Sequence, residues 1–161
     1  MDKGTFGRSD RLLKQKRHDV YQEQGKLPDP TGCSDCGAVF TNGRWTWKEV
    51  PPMANTVICP ACRRMKEQVP SGHIEIKGAF FNDHRQEILN LVNNVEKQEK
   101  GEHPQERIMK INDRGDNILV TTTGIHIARR IGESLARSYK GEHSFQYLKN
   151  EKQILVTWER S

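Results

Sequence analysis

The sequence predicts an α+β protein in three parts. These are a flexible basic arm over 1–30, a four-cysteine zinc ribbon over 31–72 and a ferredoxin-like βαββαβ domain over 73–161. Three observations carry the prediction. All four cysteines fall in one stretch, as Cys33-x-x-Cys36 and Cys59-x-x-Cys62. From His73 onward, apolar residues recur at spacings that alternate between those of strands and helices. Before Cys33 the chain is polar and punctuated by Pro28, Pro30 and Gly32.

Taken in order, Arg8 to Gln24 offers a short helix with only Leu12, Leu13, Val20 and Tyr21 as apolar anchors. So thin a stripe does not hold a helix alone, and a mobile arm, or one ordered by a partner, is expected. "KLPDPTG" (Lys26 to Gly32) reads as a turn-rich linker and "VPSG" (Val69 to Gly72) as a second. Between them, "AVF", "RWTWK" and "TVI" are three candidate short antiparallel strands of a ribbon.

In the last part, "HIEIKGAF" alternates as a strand does, through Ile74 and Ile76. Asn82 or Asp83 can cap a helix running to about Gly101, whose apolar face holds Ile88, Leu91, Val92 and Val95. "RIMKI" and "ILVTTT" flank the turn "NDRGDN" as a hairpin. Thr122 or Thr123 can cap the next helix, with Ala128, Ile131, Leu135 and Tyr139 on one face and Gly141 past its end. "QILVTW" is the last strand, with a short "FQYL" piece before it. The order β-α-β-β-α-β is the split pattern of an antiparallel sheet with helices on one face.

The cysteines carry the chemistry. Two C-x-x-C turns, 22 residues apart, can turn four sulfurs onto one ion. Four thiolates suit a closed tetrahedral site, so one structural Zn2+ on Cys33, Cys36, Cys59 and Cys62 is expected. Gly37 frees the first turn and Pro60 stiffens the second. Four cysteines would also serve an iron–sulfur cluster. A thioredoxin-like redox pair is the third reading. It needs a pair that opens a helix after a strand, which neither is expected to do. A module of about 40 residues buries too little to fold alone, and a metal would supply the missing stability.

Composition bounds the rest. Charged residues make up 29% of the chain and hydrophobic residues 34%, and no run is apolar enough to span a membrane. The first residues lack the apolar stretch of a signal peptide, so a cytoplasmic location is expected, where four cysteines are ligands before they are disulfides. The net charge of +5 divides as +2, +2 and +1 over the three parts, a mild basic bias in the first half. It is compatible with a nucleic-acid partner and equally with a solvated surface.

Trp45 and Trp47, two apart on one strand, are expected to share a face. There they cover the zinc turns as core, or offer a stacking platform for bases flanked by Arg44, Lys48, Arg63 and Arg64. Arg129, Arg130 and Arg137, off the apolar stripe of the second helix, are either a solvated face or phosphate contacts. His126 suits a capping or interface role. No nucleophile–base array, Walker motif or G-x-G-x-x-G is present, and the chain reads as a non-enzyme.

The stretches "HDVY", "KLPDP", "CSDCGAVF", "GRWTW", "CPAC", "TTTGIHIARRIG" and "VTWER" resemble a small bacterial family of zinc-ribbon proteins. The cysteine half and the "TTT-x-x-H-x-A" helix are also similar, more loosely, to the N-terminal zinc region of the eukaryotic and archaeal adaptor that exports large ribosomal subunits. The resemblance implies an RNA partner, ribosomal in origin, for an assembly, stress or hibernation factor. The alternative is a module that docks on a regulatory or transcription protein.

Overall fold

The computed structural model describes residues 27–161. The helix expected over Arg8 to Gln24, and most of the arm, lie outside the described residues.

The cysteine stretch forms a four-stranded sheet of three-residue strands. These are β1 (Thr31–Cys33), β2 (Val39–Thr41), β3 (Arg44–Thr46) and β4 (Asn55–Val57), in the order β3-β2-β1-β4. The expected antiparallel ribbon is half right. β2 pairs antiparallel with both β1 and β3, whereas β4 pairs parallel with β1. The reason is where the chain has to go. β1 and β4 both lead into cysteine turns, and strands that deliver ligands to the same end must run the same way. The loop through Pro51 and Pro52 carries the chain back to allow this, and Val50 packs into the space left beside Gly32. The start of β4 is tied down by Asn55 N–H on Pro30 C=O. The stretch read as a linker is part of this sheet: Thr31 Oγ1 donates to Pro28 C=O, and Asp29 Oδ2 accepts from Asn42 N–H.

A second correction follows at Cys59. Instead of a plain turn, the second pair opens α1 (Pro60–Glu67) directly after β4. Pro60 sits at the first helical turn, where its missing N–H costs nothing, and Gln68 closes the helix in the left-handed conformation.

The remainder runs β5 (Gly72–Lys77), α2 (Ala79–Asp83), α3 (Arg85–Glu102), β6 (Ile108–Asp113), β7 (Asn117–Thr122), α4 (Ile125–Tyr139), β8 (Glu142–Leu148) and β9 (Gln153–Glu159). Its sheet has five strands in the order β6-β7-β5-β9-β8. The α+β class and the first β-α-β-β-α units match the sequence reading. The four-stranded ferredoxin-like order does not. In that order the last strand would lie antiparallel to the first. Here the chain leaves α4, runs out along the sheet edge as β8 and returns as β9, so β9 lies parallel to β5. The "FQYL" piece is thus part of a full seven-residue strand.

One face of the sheet carries the core. Ile74, Ile76, Ile118, Val120, Ile154, Val156 and Trp158 from the strands meet Ile88 and Val92 of α3 and Ile127, Ile131 and Leu135 of α4, all buried. None of the helices among the described residues is long and apolar enough to cross a membrane.

Candidate metal centre

Each cysteine is placed by backbone hydrogen bonding that its local sequence permits. Cys33 ends β1, and its N–H donates to Ala38 C=O while its C=O accepts from Gly37 N–H at 3.1 Å. Gly37 closes this turn at φ +82°, a conformation that side chains disfavour. The turn aims Asp35 N–H at Cys33 Sγ, 3.4 Å away. At the second pair, Cys59 caps α1, and its Sγ accepts from Cys62 N–H at 3.4 Å. Cys59 N–H in turn donates to Cys33 Sγ at 3.2 Å, so the two turns are laced together.

The four Sγ atoms lie within 4.8 Å of one another. Four sulfurs about 2.3 Å from one tetrahedral ion would stand about 3.8 Å apart. Cys36 and Cys59 Sγ are 3.8 Å apart, and all four cysteines are free of disulfides. The cysteines are therefore positioned to bind a metal ion. Cys33, Cys59 and Cys62 are buried, and Ala61 and Trp45 pack against them.

The fourth side of the site is closed from the other sheet. Arg107, at the start of β6 and only 5% exposed, reaches into the sulfurs. Its Nη1 donates to Cys62 Sγ at 3.2 Å, and its Nη2 to Cys36 Sγ at 3.0 Å and Cys59 Sγ at 3.6 Å. Its Nε is held by Pro104 C=O at 2.7 Å, and its backbone N–H by Thr123 Oγ1 at 2.9 Å. Every sulfur thus receives at least one N–H, the pattern that suits thiolates holding a cation. Four thiolates and a divalent ion leave two negative charges, and the guanidinium offsets one.

Protonation energetics divide the three buried sulfurs. Burial pushes the Cys33 thiol up, but the backbone N–H groups around it outweigh burial and bring it down to about 7. Burial pushes Cys59 and Cys62 up, against the hydrogen bonds of Gln105 and Arg107 respectively. Burial would discharge Arg107, but the Cys62 hydrogen bond and the sulfur charges hold it firmly protonated.

Two more contacts join the modules beside the site. Ala61 N–H at the start of α1 donates to Gln105 Oε1 at 2.8 Å. Trp47 Nε1 donates to Lys100 C=O at 2.6 Å, near the end of α3. The expectation that Trp45 and Trp47 share a face fails because β3 stops at Thr46. Trp45 lies toward the cysteines, its ring centroid 5.5 Å from that of Phe40. Trp47 has left the ladder; it is 38% exposed and its ring stands 6.0 Å from the Arg107 guanidinium.

The other basic candidates are distributed over both modules. Arg44, on β3, and Lys48, just past its end, are exposed. Arg63 pairs with Glu67 at 3.0 Å, and Arg64 Nη1 donates to Val69 C=O. On α4, Arg129 pairs with Glu133 at 3.2 Å and donates to Tyr147 Oη at 2.9 Å. Arg130 pairs with the buried Glu99 at 3.4 Å. Arg137 is exposed beside an open groove of about 530 Å³ between α3 and α4, shared with Asn94, Gln98 and Ser134.

His126 faces Glu99 across the same helix pair, Nε2 to Oε1 3.2 Å. Neither threonine caps α4. Thr122 ends β7 and Thr123 serves the Arg107 backbone, while Glu106 Oε1 accepts from Ile127 N–H at 2.9 Å. Sequence reasoning missed Arg107, Gln105 and Glu106 altogether. Nothing local marks them, because each acts on a residue distant in the chain.

No protein-family model and no curated protein matches the chain.

Proposed function

We propose that the protein is a non-enzymatic cytoplasmic RNA-binding protein, ribosome-associated, built around one structural Zn2+. Cys33, Cys36, Cys59 and Cys62 would hold the ion. The observation that carries the metal assignment is closure. Four sulfurs within 4.8 Å of one another are covered by backbone N–H groups on one side and by Arg107 on the other. Such a site leaves no position for a reacting water, so the ion shapes the protein and does no chemistry. The short sulfur–sulfur distances favour a single ion over a cluster, whose sulfurs must span several irons. One zinc per chain by elemental analysis, with no iron–thiolate absorption in the visible, is the expected result. Stoichiometric iron would overturn the zinc assignment.

The RNA reading rests on the exposed Arg44, Lys48 and Arg63 around the metal module, on the basic bias of the first half and on the resemblance described above. Arg63, Arg129 and Arg130 are already paired with carboxylates, which weakens their part in it. Sedimentation with ribosomes through a sucrose gradient at low salt tests the reading. A protein that stays at the top in growing and starved cells alike would end it. A protein partner is the second reading, favoured by Met53, 91% exposed on the metal module, beside exposed Val50. Salt separates the two: RNA affinity falls steeply with salt through counterion release, and an apolar contact does not.

A further inference from the structure

The two edges of the five-stranded sheet are built differently. β6, at one edge, has a register shift between Ile108 and Lys110 and carries exposed charges at Lys110 and Asp113. A bulge and charges are the usual guards against pairing with another chain. β8, at the other edge, has no register shift, and its one carboxylate is Glu142 at its first position. It pairs with β9 without a break over all seven residues, and Glu142–Leu148 contains no proline and no lysine. It ends the strand order, so no strand among the described residues pairs with its outer row of backbone N–H and C=O groups. Tyr147 and Leu148, on the same strand, are exposed.

The side chains of β8 are also self-complementary. Glu142, Ser144, Gln146 and Leu148 lie on the sheet face away from the helices, and His143, Phe145 and Tyr147 on the helix side, opposite Trp158, Val156 and Ile154. The helix-side row is held in place. Phe145 packs against Gly132 of α4, where a Cβ would fall 3.1 Å from its ring. Arg129 lies 5.5 Å over that ring and fixes Tyr147 through its hydroxyl, and the His143 ring stands edge-on to Phe145 at 5.3 Å.

We propose that β8 is a dimer interface, pairing antiparallel with β8 of a second copy about a two-fold axis at Phe145, so that two sheets become one of ten strands. This is the register that uses all seven residues. It sets Phe145 against Phe145 of the partner subunit and His143 against Tyr147 of the partner subunit, so aromatic meets aromatic on the helix side. On the open face it sets Ser144 against Gln146 of the partner subunit, both neutral. Glu142 stands opposite Leu148 of the partner subunit, where the strand ends, next to the partner subunit's Lys149. An isologous interface must complement itself in this way. The inference is independent of the metal site and of its partner.

Sedimentation velocity on the full chain, over a concentration series, reads the assembly. The wild type is expected to be a dimer. The double variant Ser144→Lys/Gln146→Lys places like charges directly opposite at both symmetric positions, on an exposed face away from the core. It should weaken the dimer about tenfold or more. Ser144→Glu/Gln146→Glu should do the same, and an equimolar mixture of the two should recover a heterodimer. A wild type that stays monomeric to about 1 mM overturns the proposal, since no useful affinity remains beyond that. So does a dimer that the lysine variant leaves intact, or a mixture that stays monomeric. Slow hydrogen exchange at the N–H groups of β8 that point away from β9, in a monomer, would show the edge covered from within the chain, which also overturns it.

Discussion

Replacing Arg107 by methionine keeps a long apolar stem and removes the charge and all three side-chain contacts to the cysteine sulfurs. Two of those contacts, at 3.0 and 3.2 Å, are good charge-assisted hydrogen bonds, and the third, at 3.6 Å, is weak. Hydrogen bonds to charged groups contribute about 1.5–3 kcal/mol each, so the two together give an upper bound of about 3–6 kcal/mol. Solvent softens the loss, because Cys36 is only half-buried and water can reach its sulfur. Loss of a group that orients a metal ligand costs about 10–100-fold in metal affinity, or about 1.4–2.7 kcal/mol, and the lower range is the one expected here. The assay is competition with a chromophoric chelator, wild type against Arg107→Met, each referred to its own thermal unfolding curve. Arg107→Lys should fall between them. It restores the charge, but a point charge cannot bridge Cys62 and Cys36 as the planar fork does. A methionine variant that is folded and holds its metal as tightly as wild type would refute the idea that Arg107 secures the sulfurs.

Stripping the metal with chelator should unfold residues 31–67 while the five-stranded sheet stays protected in hydrogen exchange, because the two have separate cores. Equal loss of protection in both would make them one cooperative unit. Trp45→Ala should release metal, since its ring covers the cysteines, whereas Trp47→Phe should keep the metal and lose about 0.5–1.5 kcal/mol of stability with the hydrogen bond to Lys100, read by urea denaturation. Burial raises the Glu106 carboxyl above its usual 4.5, against the Ile127 hydrogen bond and the nearby His126. A carboxyl raised in the folded state binds its proton more tightly there than when unfolded. Its contribution to stability is therefore lost as pH rises from about 4.5 through the folded value. Glu106→Gln keeps an oxygen for Ile127 N–H and carries no charge. Its stability relative to wild type should improve as pH rises above about 4.5, measured by urea midpoints; a gap independent of pH would refute the burial argument.

What the sequence made legible follows from what is local. A cysteine turn is set by four adjacent residues, so Cys33, Cys36, Cys59 and Cys62 were readable before any fold was known. The strands β5, β7 and β9 were readable too, because each has one face in the core and so alternates Ile74 with Glu75, Val120 with Thr121, Val156 with Thr157. β8 was not. An edge strand exposed on nearly every residue has no apolar alternation to display, and that one hidden strand is what changes the topology from the expected ferredoxin-like order. The Trp45 and Trp47 pair misled for a related reason. Period two holds only while the strand lasts, and β3 ends between them. The caps of α4 failed differently. Thr123 fits the local rule, but Glu106, folded in from the preceding loop, reaches Ile127 N–H instead. Gly124 leaves the room: a Cβ there would stand 2.3 Å from the Glu106 carboxylate.

The position of Arg107 bears on why the two modules share a chain. The loop from His103 to Arg107 touches both at once. Gln105 receives Ala61 N–H at the start of α1, Arg107 holds the sulfurs, and Glu106 receives Ile127 N–H at the start of α4. Two helix starts and the metal centre are thus finished by three successive residues. The guanidinium is buried, and without the sulfurs it would be a buried charge lacking most of its partners, which is costly. The α/β domain therefore gains by docking the cysteine module, and the module gains by receiving a cation over its thiolates. Metal binding is then linked to how the modules sit on each other, because any ion that draws the four sulfurs together also sets the acceptors that Arg107 needs.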